Sequence, residues 1–353
     1  MSYSHDTTLA CLFCGTAKEF DVPEEAGPPP VHSLDRALEQ IAADTAQPGL
    51  ESELKCPSCG GTVSFSGTFN SPVCPYCGDA VQPGDVRAAP AGRVPVDAVY
   101  PFRIDEKRAQ QLLEEWSKHL ILLPNGYRQE RQNSALKPIY LPYLEFEANA
   151  ITDYVARTGK VTGQYKDDHG EWHDRVKWGD GVPGTLKHVL HGRVQAADAP
   201  DSKAKFPAVA DPESWKNPPS PFRSEFVAGI LCRPYENDLE TNFAQAAEES
   251  VGVGVWDSFK RQTDASIREH VSTGKEGEKV DVVEADTSYT DRDYRLVLYP
   301  FYLLSIRHRD KAWQVYVDGC TGKVSGEEPA SNVKVYAALA AIVLVIVLLK
   351  VLF

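Results

Sequence analysis

Ile139-Tyr140-Leu141-Pro142-Tyr143 and Leu298-Tyr299-Pro300-Phe301-Tyr302 are two versions of one phrase. The first leads to Thr158-Gly159-Lys160-Val161-Thr162-Gly163, and the second to Thr321-Gly322-Lys323-Val324-Ser325-Gly326. Aromatic and aliphatic residues crowd a strand entry, a hairpin follows, and a Thr-Gly-Lys-Val turn closes the unit. A helical segment accompanies each copy. Asp105 caps one through Leu123, with Ala109, Leu112, Leu113, Trp116 and Leu120 at helical spacing before Pro124-Asn125-Gly126 stops it. Asp238 begins the other, with Leu239, Phe243, Ala246 and Ala247 on one face. A duplicated β unit with its helix is the physical reading; the alternative is a chance likeness of turn-rich strands.

These segments define a β-rich α+β domain over residues 93–330. Val96 to Phe102 forms its first strand. Strands and hairpins fill Ile139 to about Val194, with Asp168-His169-Gly170 as one turn. Asp198 to Pro221, rich in Pro, Asp and Lys, is expected to be a long exposed loop. Strands return from Asp281, and Asp318-Gly319 turns the last hairpin.

Toward the N-terminus stand two Cys-x-x-Cys-Gly knuckles, Cys56-Pro57-Ser58-Cys59-Gly60 and Cys74-Pro75-Tyr76-Cys77-Gly78. Each turns two thiolates toward one point, and the alternating Thr62-Val63-Ser64-Phe65-Ser66 between them suits a hairpin that brings the knuckles together. Four thiolates make a tetrahedral structural Zn2+ site, closed to water and so not catalytic. The alternative, a pair of disulfides, suits secreted chains. A zinc ribbon over residues 51–85 is therefore expected, with Cys56, Cys59, Cys74 and Cys77 as ligands. Cys11-Leu12-Phe13-Cys14-Gly15 is a third knuckle without a partner nearby. Cys11 and Cys14 are either completed by a side chain such as His5 or His32, shared between chains, or the remains of a degenerate site. Residues 1–50 thus hold a partial knuckle and a linker, in which Ser33 caps a short helix through about Asp44.

Toward the C-terminus, Val335 to Leu349 runs without a charge, and only Lys350 interrupts the apolar run to Phe353. A helix over these residues is about 28 Å long, close to the hydrocarbon thickness of a bilayer. Lys334 and Tyr336 sit where an interfacial anchor belongs. A transmembrane helix over residues 334–353 is expected, tail-anchoring the chain to the cell membrane as a single-pass protein with its N-terminal bulk in the cytoplasm. Met1-Ser2-Tyr3-Ser4-His5-Asp6 has neither the basic region nor the apolar core of a secretory signal.

Composition narrows the function. The chain has 353 residues, 42% of them hydrophobic and 25% charged, with room for two or three domains and an ordinary core. A net charge of −13 argues against nucleic acid as the main partner, since phosphate binding needs a basic footprint. Residues 51–85 hold Lys55 as their one base against Glu51, Glu53, Asp79 and Asp85. Of the 8 cysteines, Cys232 and Cys320 stand apart from the knuckles and suit small buried side chains. No Gly-Lys-Ser or Gly-Lys-Thr phosphate loop is present, and no Gly-x-Ser-x-Gly elbow. His169-Gly170-Glu171-Trp172-His173-Asp174 invites a metal but lacks the His-Glu-x-x-His order, and an exposed charged turn accounts for it better.

Together these features resemble a bacterial family of tail-anchored, TFIIB-type zinc-ribbon proteins. Its members often carry the name primosomal protein N′, a superfamily II helicase. The resemblance rests on the Cys56–Cys77 ribbon, the helix ending at Pro124, and Tyr140-Leu141-Pro142-Tyr143-Leu144-Glu145-Phe146. It extends to Phe226-Val227-Ala228-Gly229 with Tyr235, and to Val317 through Gly326. Fuller members have two ribbons, and Cys11 and Cys14 match the second half of the first. The resemblance implies partners among flotillin-like and phage-shock-type membrane proteins, but no helicase motif supports the name. The function expected is a membrane-anchored, non-enzymatic adaptor that recruits partner proteins. The alternative is an anchored nucleic-acid-binding accessory of replication or transcription, and an enzyme built on the His169 turn ranks last.

Overall fold

The computed structural model describes residues 2–3, 8–10, 16–20, 27–43, 52–57, 62–65, 74, 76, 86–88, 94–118, 123–124, 127, 129–130, 134–196, 218–228, 230–234, 238–247, 259–308, 311–326 and 334. The chain opens with a small antiparallel sheet of β1 (Ser2–Tyr3), β2 (Thr8–Ala10) and β3 (Ala17–Glu19). β4 (His32–Ser33) leads into helix α1 (Leu34–Ala43), where the Ser33 hydroxyl accepts from the Arg36 amide at 3.5 Å. A second small sheet, order β6-β5-β7, is formed by β5 (Ser52–Lys55), β6 (Thr62–Phe65) and β7 (Val86–Ala88). Its β5–β6 pair carries the Thr62–Phe65 spacer beside the Cys56 knuckle.

The remaining elements build one large sheet. β8 (Ala98–Val99) and α2 (Glu106–Lys118) precede the long β9 (Leu136–Lys166). β10 (Trp172–Trp178), β11 (Val182–Gln195), β12 (Ser220–Pro221) and β13 (Leu231–Cys232) follow, with a 3-10 turn at Ser224–Val227. Then come α3 (Leu239–Ala247), α4 (Phe259–Val271), the long β14 (Glu278–His308), β15 (Lys311–Asp318) and β16 (Val324–Gly326). Both acid caps form as the sequence implies: Asp105 Oδ1 accepts from the Arg108 amide and Asp238 Oδ1 from the Thr241 amide, each at 2.7 Å.

β9 and β14 are each 31 residues long, roughly 100 Å of chain, and pair antiparallel almost end to end. The two like phrases meet side by side, with Tyr140 opposite Pro300 and Leu141 opposite Tyr299. Each long strand carries short strands in series on its outer edge. β13 pairs parallel with β9 at Ile139 and Tyr140, and β11 resumes antiparallel from Tyr143. β8 pairs parallel with β14 at Val297 and Leu298, and β15 resumes antiparallel from Phe301. Pro142 and Pro300 fall in the two gaps between these partners, so neither missing N–H breaks a ladder. Their carbonyls accept from Ala196 (3.0 Å) and Gly319 (2.9 Å).

Period-two alternation then divides the core. Tyr140, Leu144, Phe146, Ala148 and Ala150 of β9 point to the face covered by helices. There α2 supplies Ala109 and Leu113, α1 Leu34 and Ala37, α3 Phe243, and α4 Phe259. Ile139, Leu141 and Tyr143 point to the other face, against Val297, Tyr299, Phe301, Cys56, Cys74 and Tyr76. Beyond Tyr143 no described element covers that second face: Glu147, Asn149, Ile151 and Asp153 are exposed.

Three expectations need correction. The described residues form a large mixed β-sheet with helices packed on it, and none of their helices is the transmembrane helix expected of an α+β protein with a C-terminal anchor. Among the described residues the longest helices have 13 residues and an amphipathic face, whereas crossing a bilayer takes about 20 apolar ones, so none is long and apolar enough to do so. The expected span Val335–Phe353 lies outside the described residues, and the single-pass cell-membrane anchor with it loses its support. Finally, Thr158-Gly159-Lys160-Val161 is no turn. It lies within β9, because β10 and β14 both pair with it and carry the strand on to Lys166. Its counterpart Thr321-Gly322-Lys323 does turn, with Gly322 at φ +79°.

Candidate functional site

Of the cysteines expected to bind zinc, Cys56 and Cys74 are described, both 1% exposed. They share one apolar cluster with Tyr76, whose hydroxyl donates to the Thr62 carbonyl at 3.0 Å and whose ring lies 5.5 Å from the Arg233 guanidinium. Cys59, Cys77, Cys11 and Cys14 lie outside the described residues. Among the described residues no group of cysteines converges in the manner of a metal centre, so a zinc-binding ribbon is not seen there. Two buried cysteines in one cluster nonetheless fit half of a closed thiolate set. Cys232 and Cys320 do not suit a ligand or nucleophile. Burial pushes each thiol up to about 12, helped at Cys320 by the Asp318 charge, so both stay protonated near neutral pH.

The described group that could hold a metal is Asp167, Glu171 and His173, at the tip of the β9–β10 hairpin. Asp167 Oδ2 lies 2.8 Å from His173 Nε2, and Asp167 Oδ1 accepts from the amides of His169 (3.0 Å) and Glu171 (2.8 Å). These bonds shape a turn and hold the Asp167 carboxyl below the usual aspartate range, with the His173 bond foremost. His169 contributes its backbone and no ligand atom to the group. Glu171 and His173 are exposed and Asp167 partly so, and the geometry serves the hairpin.

A third locus joins residues that lie far apart in the sequence. Where the cover of the second face ends, Glu145 of β9 stands between Arg193 of β11 and Arg295 of β14. Arg193 Nε donates to Oε1 at 2.9 Å and Arg295 Nε to Oε2 at 3.0 Å, with the second Arg295 nitrogen also bonded. The carboxylate is 9% exposed, so the two guanidiniums replace the water it lost. Burial first, and then the Glu145 charge, push the Tyr100 phenol upward beneath it. Beside this ladder is a cleft of about 130 Å³ lined by Val31, Glu147, His191 and Asp293 among others. Asp293 is raised above the usual carboxylate range by burial and by the charges of Glu147, Asp291 and Asp35. One signal could have revealed the site: Glu145 is the first acid in the apolar run Tyr140–Phe146, and a buried acid demands a cationic partner.

From the Glu145 ladder outward the uncovered face is a flat, mixed surface. β11 contributes Val189, Lys187 and Thr185, β9 Asn149, Ile151 and Asp153, and β14 Asp291, Ser288 and Asp286. Val189 is 50% exposed and Ile151 38%.

No known family model matches the chain, and no solved structure matches it. It is similar to the uncharacterized protein YdjG of Bacillus subtilis (strain 168), with 22% identity over 259 residues covering 70% of this chain and 67% of that protein.

Proposed function

We propose that the chain is a non-enzymatic adaptor whose uncovered sheet face docks partner proteins. One observation supports the reading above the rest: a helix-backed sheet presents a broad face that no described element covers, with Val189 and Ile151 exposed among fixed charges. Rigid strands held from behind by α1, α3 and α4 present such a face with little loss of entropy on binding. Flotillin-like and phage-shock-type proteins, implied by resemblance, are the first partners to test. A photo-crosslinking residue in place of Val189 should capture a discrete protein in cells, and one in place of helix-covered Ala148 should not. Equal and indiscriminate labelling from both positions would remove the adaptor reading.

Zinc is part of the proposal as a structural ion. Cys56, Cys59, Cys74 and Cys77 would hold it; bound zinc keeps thiols deprotonated and links two knuckles into one fold. Cys11 and Cys14 form no complete set by themselves. Metal analysis of the reduced protein should give one equivalent of zinc, lost on Cys74→Ser. Metal-free protein with an unchanged amide spectrum around Cys56 and Tyr76 would refute it.

A further inference from the structure

Cross-strand pairing on the uncovered face breaks a rule of sheet design twice. Glu147 stands directly opposite Asp293, and Asp153 directly opposite Asp286. Like charges at facing positions destabilise an antiparallel pair, and a lysine at either member would have been the stabilising choice. The nearby bases do not relieve them all. Arg193 and Arg295 are engaged by Glu145, Arg157 by Asp281 at 2.8 Å, and Arg292 by Asp35. His191 Nδ1 lies 3.2 Å from Glu147, and Thr185 donates to Asp153 at 2.6 Å. Asp291 joins the first pair across a bulge, at a strained φ of +47°, and accepts from Asn149 at 2.9 Å. Glu284, exposed, adds a further carboxylate beyond the second pair, where Asp153, Thr185 and Asp286 line a shallow cleft. Burial first, and then the charges of Glu147, Asp291 and Asp35, raise the Asp293 carboxyl.

Local rules are broken where function requires it. We infer that the two facing carboxylate pairs receive the basic side chains of a partner polypeptide, in a segment with cationic ends and an aliphatic middle. The inference rests on the adaptor reading and specifies its partner. The geometry gives the spacing: Glu147 and Asp153 are about 20 Å apart along β9. Ile151 and Val189 lie between the pairs, where the aliphatic middle would rest. A lysine or arginine at each end cancels the repulsion that the free sheet bears, so binding releases strain as well as forming ion pairs.

The probe is a synthetic peptide with paired lysines flanking a leucine-rich middle, measured by fluorescence anisotropy against the whole protein; a peptide with glutamates in place of the lysines is the control. The lysine peptide should bind, weaken with salt, and lose about fivefold in affinity in the double variant D286N/D293N. The same variant should have a higher Tm, since it removes both like-charge contacts. A fold-stabilising role for the carboxylates predicts a lower Tm instead. Equal binding of both peptides, or undiminished binding by D286N/D293N, would overturn the inference. If a divalent cation at millimolar concentration raises the Tm of wild type and not of the variant while the peptide does nothing, the pairs serve a metal and the inference also fails. The Val189 crosslink reports separately on the adaptor reading: a crosslink that survives D286N/D293N leaves an adaptor with a different partner chemistry.

Discussion

The two ends of the β9–β14 pair contrast sharply. Around Leu141 and Tyr299 both faces are covered, one by α2 and the other by the cluster of Cys56, Cys74 and Tyr76. Around Ile151 and Ser288 the helices cover one face only. The same two strands therefore read differently along their length. Ile139 to Phe146 is nearly continuous in apolar residues and buried throughout, whereas from Asn149 to Tyr154 exposed and buried residues alternate. A strand buried on both faces needs no alternation; one buried on a single face shows it. The contrast teaches that the function of a long strand can change midway without any break in its hydrogen bonding.

The largest test of the contrast is a pair of truncations. Leu141→Ala should cost about 3 kcal/mol, because its cavity is closed on both sides, while Ile151→Ala should stay within about 0.5 kcal/mol. Denaturant titration of both variants decides it, and equal losses would mean that the second face is covered after all.

Glu145→Ala probes the boundary between the two regions. It leaves two half-buried guanidiniums facing each other without their carboxylate, at a cost of about 2 kcal/mol. Adding Arg193→Leu to that variant should recover part of the loss, measurable as a rise in Tm over Glu145→Ala alone.

Smaller effects belong to the two Thr-Gly-Lys-Val segments. Gly322→Ala should cost about 1 kcal/mol from its positive φ, with a further contact because a Cβ would lie 2.5 Å from Leu112 Cδ1. Gly322→Asn should ease only the backbone part of that cost in thermal melts, since asparagine tolerates that region but meets Leu112 as alanine does. Gly159 has no such φ, and any cost of Gly159→Ala comes from Trp178 and Val176, whose atoms lie 2.5 Å from a built Cβ.

The smallest effect is at the exposed far tip. Asp167 has a depressed carboxyl, so the order it lends the hairpin is complete above the ordinary aspartate value of 3.8 and is lost as pH falls through its lower folded value. Amide shifts of His169 and Glu171 should hold steady as pH falls to that value and move only below it. Movement at a higher pH would show that the Asp167–His173 bond does not form.

Some of this was legible in residues alone. Asp105 and Asp238 announce their helices because an acid at the N-cap satisfies amides locally, with no help from distant chain. The Asp168-His169-Gly170 turn, the last hairpin at Asp318 and the α1 cap at Ser33 are local in the same sense. Helix α4 leaves little mark in the sequence: Phe259, Thr263 and Ile267 are its buried positions, and a stripe so sparse finds apolar surroundings only against β9, β11 and β14. The Glu145 ladder joins residues far apart in sequence, and no spacing rule connects them.

Sequence by itself determined the local pieces: caps, turns, strand alternation, the knuckle motifs and the kinship of the Tyr140 and Tyr299 phrases. Only the tertiary structure decided that these phrases lie against each other, that Thr158–Val161 continues a strand whereas Thr321–Lys323 turns between two, and that beyond Tyr143 no described element covers one face of the sheet. The reason is physical. Caps and turns are satisfied within a few residues, but a strand's length and the cover of its faces depend on which partners arrive at its edges. Here β14 pairs with Thr158 and β10 takes over from Gly159 to Lys166, whereas beyond Asp318 the chain turns back and β16 pairs with β15 itself.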